Sequence, residues 1–401
     1  MRPLKGRTLT LPTASSLTMR CYLASIVAFL GLTASLLLTG CQPVDGTAQA
    51  LPVAEAKTAL TATKVAVDDL KQQLDDALDF TFARRLNSKE HAAWQIIHGC
   101  VPYREEFLIR HEGKDIRALD FLFNNGVVEG WEFEPGKVFD EATGRQGLRA
   151  ILRPGSNTAQ GHPDQWLGYL AGCKFPLDKT LNIGGKTYTI ADYLAQMEYD
   201  APHNLQREYS WTLMALAYYR PHDYTWQAAD GQTWSVAKLV EIELGEDLTS
   251  SACAGSHRMT GLAMAYNRFK QDGGEETGVW KKLHERLTEV VGKVKAYQNA
   301  DGTLSSASFA RAAKAPDVGD ALNAAGHVLE FLLVTLDDEQ IREPWVTRAV
   351  QAQCKLFRKT KELNVNCGGL YHSASGLRIY RERMYGPRDF SEKVEKTEPR
   401  T

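Results

Sequence analysis

Six positions along this 401-residue chain carry side chains that move protons or bind metals: His98, His162, Glu208, His257, His327 and His372. Histidine titrates near neutral pH, so such a set suits general acid–base work. His257, His372 and Glu208, with Arg258 and Tyr371 beside them, are the candidate catalytic residues. His98, His162, Trp166, Trp211, His327 and Tyr380 are the candidate ligand-binding residues. The alternative for each is plain: a histidine at a helix start caps backbone groups, and Trp or Tyr on an apolar helix belongs to the core. The reading expects a site without a metal. Zinc is the alternative, through Cys253, His257, Cys367 and His372, all side chains that zinc accepts. A disulfide between Cys253 and Cys367, or two buried thiols, would also account for those cysteines.

The elements that must position these residues repeat. Cys253-x3-His257-x3-Gly261-Leu262 returns as Cys367-x4-His372-x3-Gly376-Leu377. A shift of 46 residues lays Asp164–Ala171 on Ser210–Ala217 and Gly185–Leu194 on Gly231–Val240, and it lays His162 on Glu208. Thr189 and Ser235 then stand where helix N-caps belong. Helices are expected to open at His257, at Gly326-His327 and at His372, with outer partners over Trp280–Tyr297 and Pro344–Phe357. His98 is expected to close its helix, before Pro102. Units of helix, turn and helix predict an all-α fold, a closed α/α toroid of about five to six helical hairpins over residues 59–390. The histidines would sit on one rim. Short β-like pieces separated by Gly and Asn predict a small β-rich excursion at about 104–155.

One turn carries a family resemblance. Tyr297-Gln298-Asn299-Ala300-Asp301-Gly302-Thr303-Leu304 is similar to the Gln-rich turn motif of the squalene cyclase and protein prenyltransferase toroids. Gln298, Asp301 and Gly302 match it, and Leu304 replaces the usual aromatic. The chemistry of those enzymes does not follow. Asp317-Val318-Gly319-Asp320 is the nearest approach to the acidic Asp-x-Asp-Asp of the cyclases and does not match. Ser251 and Val365 stand where a prenyltransferase needs Asp two residues before its zinc-binding Cys. The adjacent Cys-His pair of the lanthionine cyclase toroids is also missing. The whole looks like exported bacterial proteins of the toroid class. Toroidal polysaccharide lyases and glycosidases use His, Tyr and acidic sets with aromatic platforms, which here implies binding and cleavage of a polysaccharide or similar polar ligand. A non-enzymatic binding or scaffolding role is the alternative.

Residues 1–40 resemble a bacterial lipoprotein signal, with Leu38-Thr39-Gly40-Cys41 as the lipobox and Cys41 as the lipidated residue. A plain secretory signal or an N-terminal membrane helix would also fit the apolar run. Gln42 after Cys41 implies an outer-membrane lipoprotein held to the bilayer by its acyl chains. Residues 41–58 read as a tether, and residues 391–401 as an unstructured tail. The signal holds four positive charges, Arg2, Lys5, Arg7 and Arg20, and no negative one, so its removal takes the net charge from -2 to -6. Without a basic block, nucleic acid is not expected as a partner. The composition, 43% hydrophobic and 24% charged, is that of a chain with ample core.

Overall fold

The computed structural model describes residues 69–395. It begins with helix α1 (69–83), followed by β1 (Leu86–Asn87), α2 (Ala93–Tyr103), β2 (Leu108–His111), β3 (Lys114–Arg117) and α3 (Ala118–Phe123). Strand β1 pairs parallel to β2, and β2 pairs antiparallel to β3. A hairpin of β4 (Phe133–Asp140) and β5 (Arg145–Ala150) comes next. Then α4 (Gln165–Gly172), the hairpin β6 (Thr180–Ile183) and β7 (Lys186–Thr189), and α5 (Ile190–Asp200) form one unit. The following unit has the same plan: α6 (Ser210–Tyr219), β8 (Thr225–Gln227), β9 (Thr233–Ser235) and α7 (Val236–Gly245). Helices α8 (Ser256–Gln271), α9 (Gly278–Tyr297), α10 (Val318–Thr335), α11 (Pro344–Lys359), α12 (Cys367–Tyr385) and α13 (Ser391–Glu395) complete the order.

The expected all-α fold of helical hairpins is therefore incorrect. Of the described residues 54% are helical and 13% lie in strands, which form four small sheets. Segments such as Leu181–Thr189, read from sequence as a turn, bury Leu181 and Tyr188 on one side while Lys186 and Thr187 face solvent. That alternation makes a strand pair and not a loop.

What positions the site is a set of six helices. Helix α4 packs on α2 and α6, α8 on α6 and α10, and α12 on α10 and back on α2. A second layer lies behind them: α7 and α9 against α8, and α11 against α10 and α12. The burial patterns follow this division. Helix α11 buries Val346, Ala349, Val350, Gln353 and Phe357, a stripe at helical spacing, and exposes Lys355 and Arg358. Helix α12 is buried on all sides from Gly368 to Arg378, as expected with neighbours on three flanks. Its two buried arginines are paired. Arg378 donates to the Pro102 carbonyl at 2.5 Å and pairs with Glu106 and Glu382, and Arg381 pairs with Asp75 at 2.8 Å.

Thr189 and Ser235 do cap α5 and α7, each accepting from the backbone N–H three residues on. Gln298 closes its turn by donating to the carbonyls of Gly302 and Trp345, which ties the end of α9 to the start of α11. The tail expected to be unstructured from residue 391 opens with the helical turn α13, and the segment is anchored by the buried Phe390 and Val394. Cys41, the signal and the tether lie outside the described residues.

Candidate functional site

The five histidines converge. Ring centroids lie 4.0 Å apart for His327 and His372, 5.1 Å for His257 and His327, and 5.1 Å for His162 and His257. His98 completes the layer 5.3 Å from His372. The elements reach this point by different routes. His162 lies in the loop before α4, and Glu208 in the loop before α6. His257 is the second residue of α8, but His98, His327 and His372 sit well inside α2, α10 and α12. The expectation that His327 and His372 open their helices, and that His98 closes one, is thus corrected. Helix α10 starts at Val318, with Asp317 as its cap. In α10 the exposed Asp320 and Asn323 hid the start from an apolar-run reading, and in α12 the Gly368-Gly369 pair read as a turn.

Close backbone approach draws the helices together. A Cβ on Gly261 of α8 would strike the Ser210 carbonyl oxygen at the start of α6 and stand 3.0 Å from the Ser210 Cα. A Cβ on Gly326 of α10 would stand 2.7 Å from the Ser373 nitrogen of α12. Before α8 the chain makes a left-handed turn, with Cys253, Ala254 and Gly255 at φ 49°, 52° and 78°. Two of these are not glycine, so the turn is strained, and it carries the Cys253 thiol to the His257 side.

Hydrogen bonding sets the ring tautomers. His98 Nδ1 lies 2.5 Å from the Trp94 carbonyl, and His327 Nδ1 lies 2.7 Å from the Asn323 carbonyl. His162 Nδ1 lies 2.9 Å from Glu208, and His372 Nδ1 lies 2.7 Å from Glu330. Each acceptor is an oxygen, so each Nδ1 carries a hydrogen, which leaves Nε2 as the atom able to offer a lone pair. Tyr169 stands between two of those nitrogens, 3.0 Å from His98 Nε2 and 3.3 Å from His372 Nε2. With one hydroxyl hydrogen it donates to one of them at a time. His257 is different, because both its ring nitrogens are buried without a partner. Burial first, and then the neighbouring imidazoles, hold His98, His257 and His327 well below the usual histidine range, so they are neutral. Burial, with the Glu330 charge behind it, pushes the Tyr169 phenol up.

Two sets of these groups could hold a metal ion. Cys253, His257 and His327 present ligand atoms within 4.8 Å of one another, and so do His162, Glu208 and His257. The set anticipated from sequence, Cys253, His257, Cys367 and His372, is not assembled. Cys367 and His372 are five residues apart on α12, roughly 140° around the helix, and the His372 nitrogens already meet Glu330 and Tyr169. Cys253 and Cys367 are both free thiols, so the disulfide is also excluded. Burial and the Glu208 charge push the Cys253 thiol up to about 11.

Other anticipated residues stand apart. Tyr371 neighbours His372 in sequence but lies about 100° round the helix, edge-on to Phe107 with its hydroxyl unpartnered. Tyr380 meets Thr347 on the α11 side. Arg258 is buried in an ion pair with Glu243 at 2.7 Å. Trp166 and Trp211 are 0% and 1% exposed, so neither offers an open face for a sugar. Trp211 does pack on His257 at 4.8 Å. Sequence reasoning missed Tyr169 and Glu330. The signal for Glu330 was a carboxylate inside the apolar run Gly326–Leu333.

The histidine layer separates two cavities. An upper one of about 440 Å³ opens between Trp94, Ser156, Asp317, Asp320 and Asn366, with all five histidines and Cys253 on its wall. A lower one of about 190 Å³ lies beneath His257, His327 and His372. Comparison with family models, with curated proteins and with solved structures finds no match for this chain.

Proposed function

We propose that the histidine layer is a metal centre, and that Cys253, His257 and His327 hold a zinc ion whose open position faces the upper cavity. The observation that carries this reading is the hydrogen-bond pattern. Four rings have Nδ1 fixed on a carbonyl or carboxylate, the arrangement that orients metal-binding histidines, while His257 has no partner at either nitrogen. Imidazole with one thiolate suits zinc over harder ions, and three protein ligands leave a place for water or substrate. His162, held by Glu208, is then the base beside that place, which suits metal-assisted hydrolysis. The polar rim of the upper cavity fits a hydroxylated ligand, so the end of a carbohydrate chain is the proposed substrate class. Zinc-reconstituted protein is expected to retain about one equivalent after gel filtration. Cys253→Ser and His257→Ala should lose it, and Cys367→Ser should keep it. Retention of less than a tenth of an equivalent by the parent protein would refute the centre.

A metal-free acid–base reading has one observation in its favour, the Tyr169 hydroxyl set between His98 and His372 with Glu330 behind. On that reading chelator-treated protein still cleaves a polysaccharide panel, and Tyr169→Phe abolishes the activity. On the lipobox Leu38-Thr39-Gly40-Cys41 we also propose a lipid anchor at Cys41 and an outer-membrane location.

A further inference from the structure

The lower cavity is built differently from the upper one. All six core helices line it, through Tyr169, Trp211, Met264, Glu330, Val334 and Ile379 among others. Its long side chains are mainly apolar, and Gly172 and Ser375 add little bulk to its wall. At about 190 Å³ it exceeds a cavity of ~150 Å³ that takes up benzene, so one substituted ring fits.

Three polar groups on its wall have no partner. Ser256 Oγ and Trp211 Nε1 are buried donors without acceptors, on residues each 1% exposed, and the His257 nitrogens are unpaired as well. Buried polar atoms in folded proteins are almost always satisfied. A single hydroxyl placed here would accept from Ser256 or Trp211 and, in the metal-free protein, donate to the unprotonated nitrogen of His257; with zinc on that nitrogen it would accept from the His257 N–H instead. Among the described residues the wall's carboxylate is Glu330 and its guanidinium is Arg104, already engaged by His372 and by Glu382. The chamber therefore offers a carboxylate no unpaired cation and suits a neutral ring with one hydroxyl.

Met264, Val334 and Ile379 belong both to this chamber and to a wide depression of about 720 Å³ beyond it, rimmed by Lys174, Arg268 and Arg383.

We infer that the lower chamber is a binding site for a small neutral phenol, seated with its hydroxyl at His257 and its ring between Met264, Val334 and Ile379. The inference needs the chamber and not the metal, so it stands or falls apart from the zinc reading.

The test is calorimetric titration of the full chain with p-cresol, toluene and benzoate, with and without prior chelation. p-Cresol is expected to bind with a dissociation constant of roughly 10 μM to 1 mM, as suits so small a ligand. Toluene, without the hydroxyl, should bind about tenfold more weakly, and benzoate not at all. Chelation should leave p-cresol binding in place. Val334→Trp, which fills the chamber, should abolish binding and leave zinc uptake unchanged. Ser256→Ala, which preserves the packing, should weaken p-cresol and not toluene. Absence of p-cresol binding by the parent protein, equal affinity in folded Val334→Trp, or an unchanged p-cresol preference in Ser256→Ala would overturn the inference. Loss of zinc uptake with p-cresol binding intact would count against the metal centre alone.

Discussion

Replacing Gly261 by alanine tests whether the α6–α8 contact holds the site together. The added Cβ would strike the Ser210 carbonyl oxygen and stand 3.0 Å from both the carbonyl carbon and Cα. Carbon contacts are comfortable at about 3.5–4.0 Å, so α8 must retreat by roughly 0.5–1 Å. The obstacle is backbone at the start of a helix, which cannot rotate away as a side chain would. Overpacking of this kind costs about 1–3 kcal/mol. Gly376→Ala is the control, because its Cβ would meet the end of Leu329 at 3.1 Å and the Glu330 nitrogen at 3.3 Å. The Leu329 contact yields to a side-chain adjustment and the Glu330 nitrogen to a shift of a few tenths of an ångström, so the cost should stay below about 1 kcal/mol. Denaturant unfolding followed by circular dichroism reads both values. His257 lies one turn above Gly261 on the same face, so the retreat also displaces it. Competition with a chromophoric chelator should show zinc affinity lowered roughly 10–100-fold in Gly261→Ala. If Gly261→Ala unfolds at the parent's denaturant midpoint, or if Gly376→Ala is the more damaging of the two, the close-approach argument is wrong.

Two further outcomes are expected. Burial pushes the Asp164 carboxyl up to about 7 from 3.8, against the lowering effect of the Thr212 hydroxyl that donates to it. The native state therefore holds that proton longer than the unfolded chain, and stability falls as pH rises between about 4 and 7. Asp164→Asn keeps the acceptor for Thr212 and cannot ionise, so it should match the parent near pH 4 and exceed it above pH 7, by at most about 4 kcal/mol; parallel stability curves for the two proteins would refute this. Cys41→Ala should release the protein from membranes on fractionation, and continued membrane retention of that variant with its signal intact would count against the lipid anchor.

The sequence placed the chemistry better than the frame around it. The 46-residue offset that lays His162 on Glu208 paired two side chains that are hydrogen-bonded at 2.9 Å. Thr189 and Ser235 were legible as caps because a cap acts within four residues. Tyr371 and Trp166 were misjudged for the opposite reason. Nearness in sequence was taken for nearness in space, and consecutive residues on a helix point about 100° apart. Tyr169 was illegible because its partner His372 is 203 residues away. The β6–β7 and β8–β9 hairpins were read as turns because three or four residues hardly establish an alternation, whereas the strands between residues 108 and 150 fall inside the stretch expected to be β-rich.

The contact between α12 and α2 has a consequence for the order in which the molecule is made. Arg378 reaches the Pro102 carbonyl across 276 residues of chain. At a synthesis rate of roughly 5–20 residues per second, α2 waits about 15–55 s for the helix that covers its free flank. Each helix between them can dock on its predecessor as it emerges, but this last contact has no local substitute. A nascent chain stalled before α12 therefore presents one unpaired helix face at each end, on α2 and on α10, and the two faces that α12 should cover are then open to other chains.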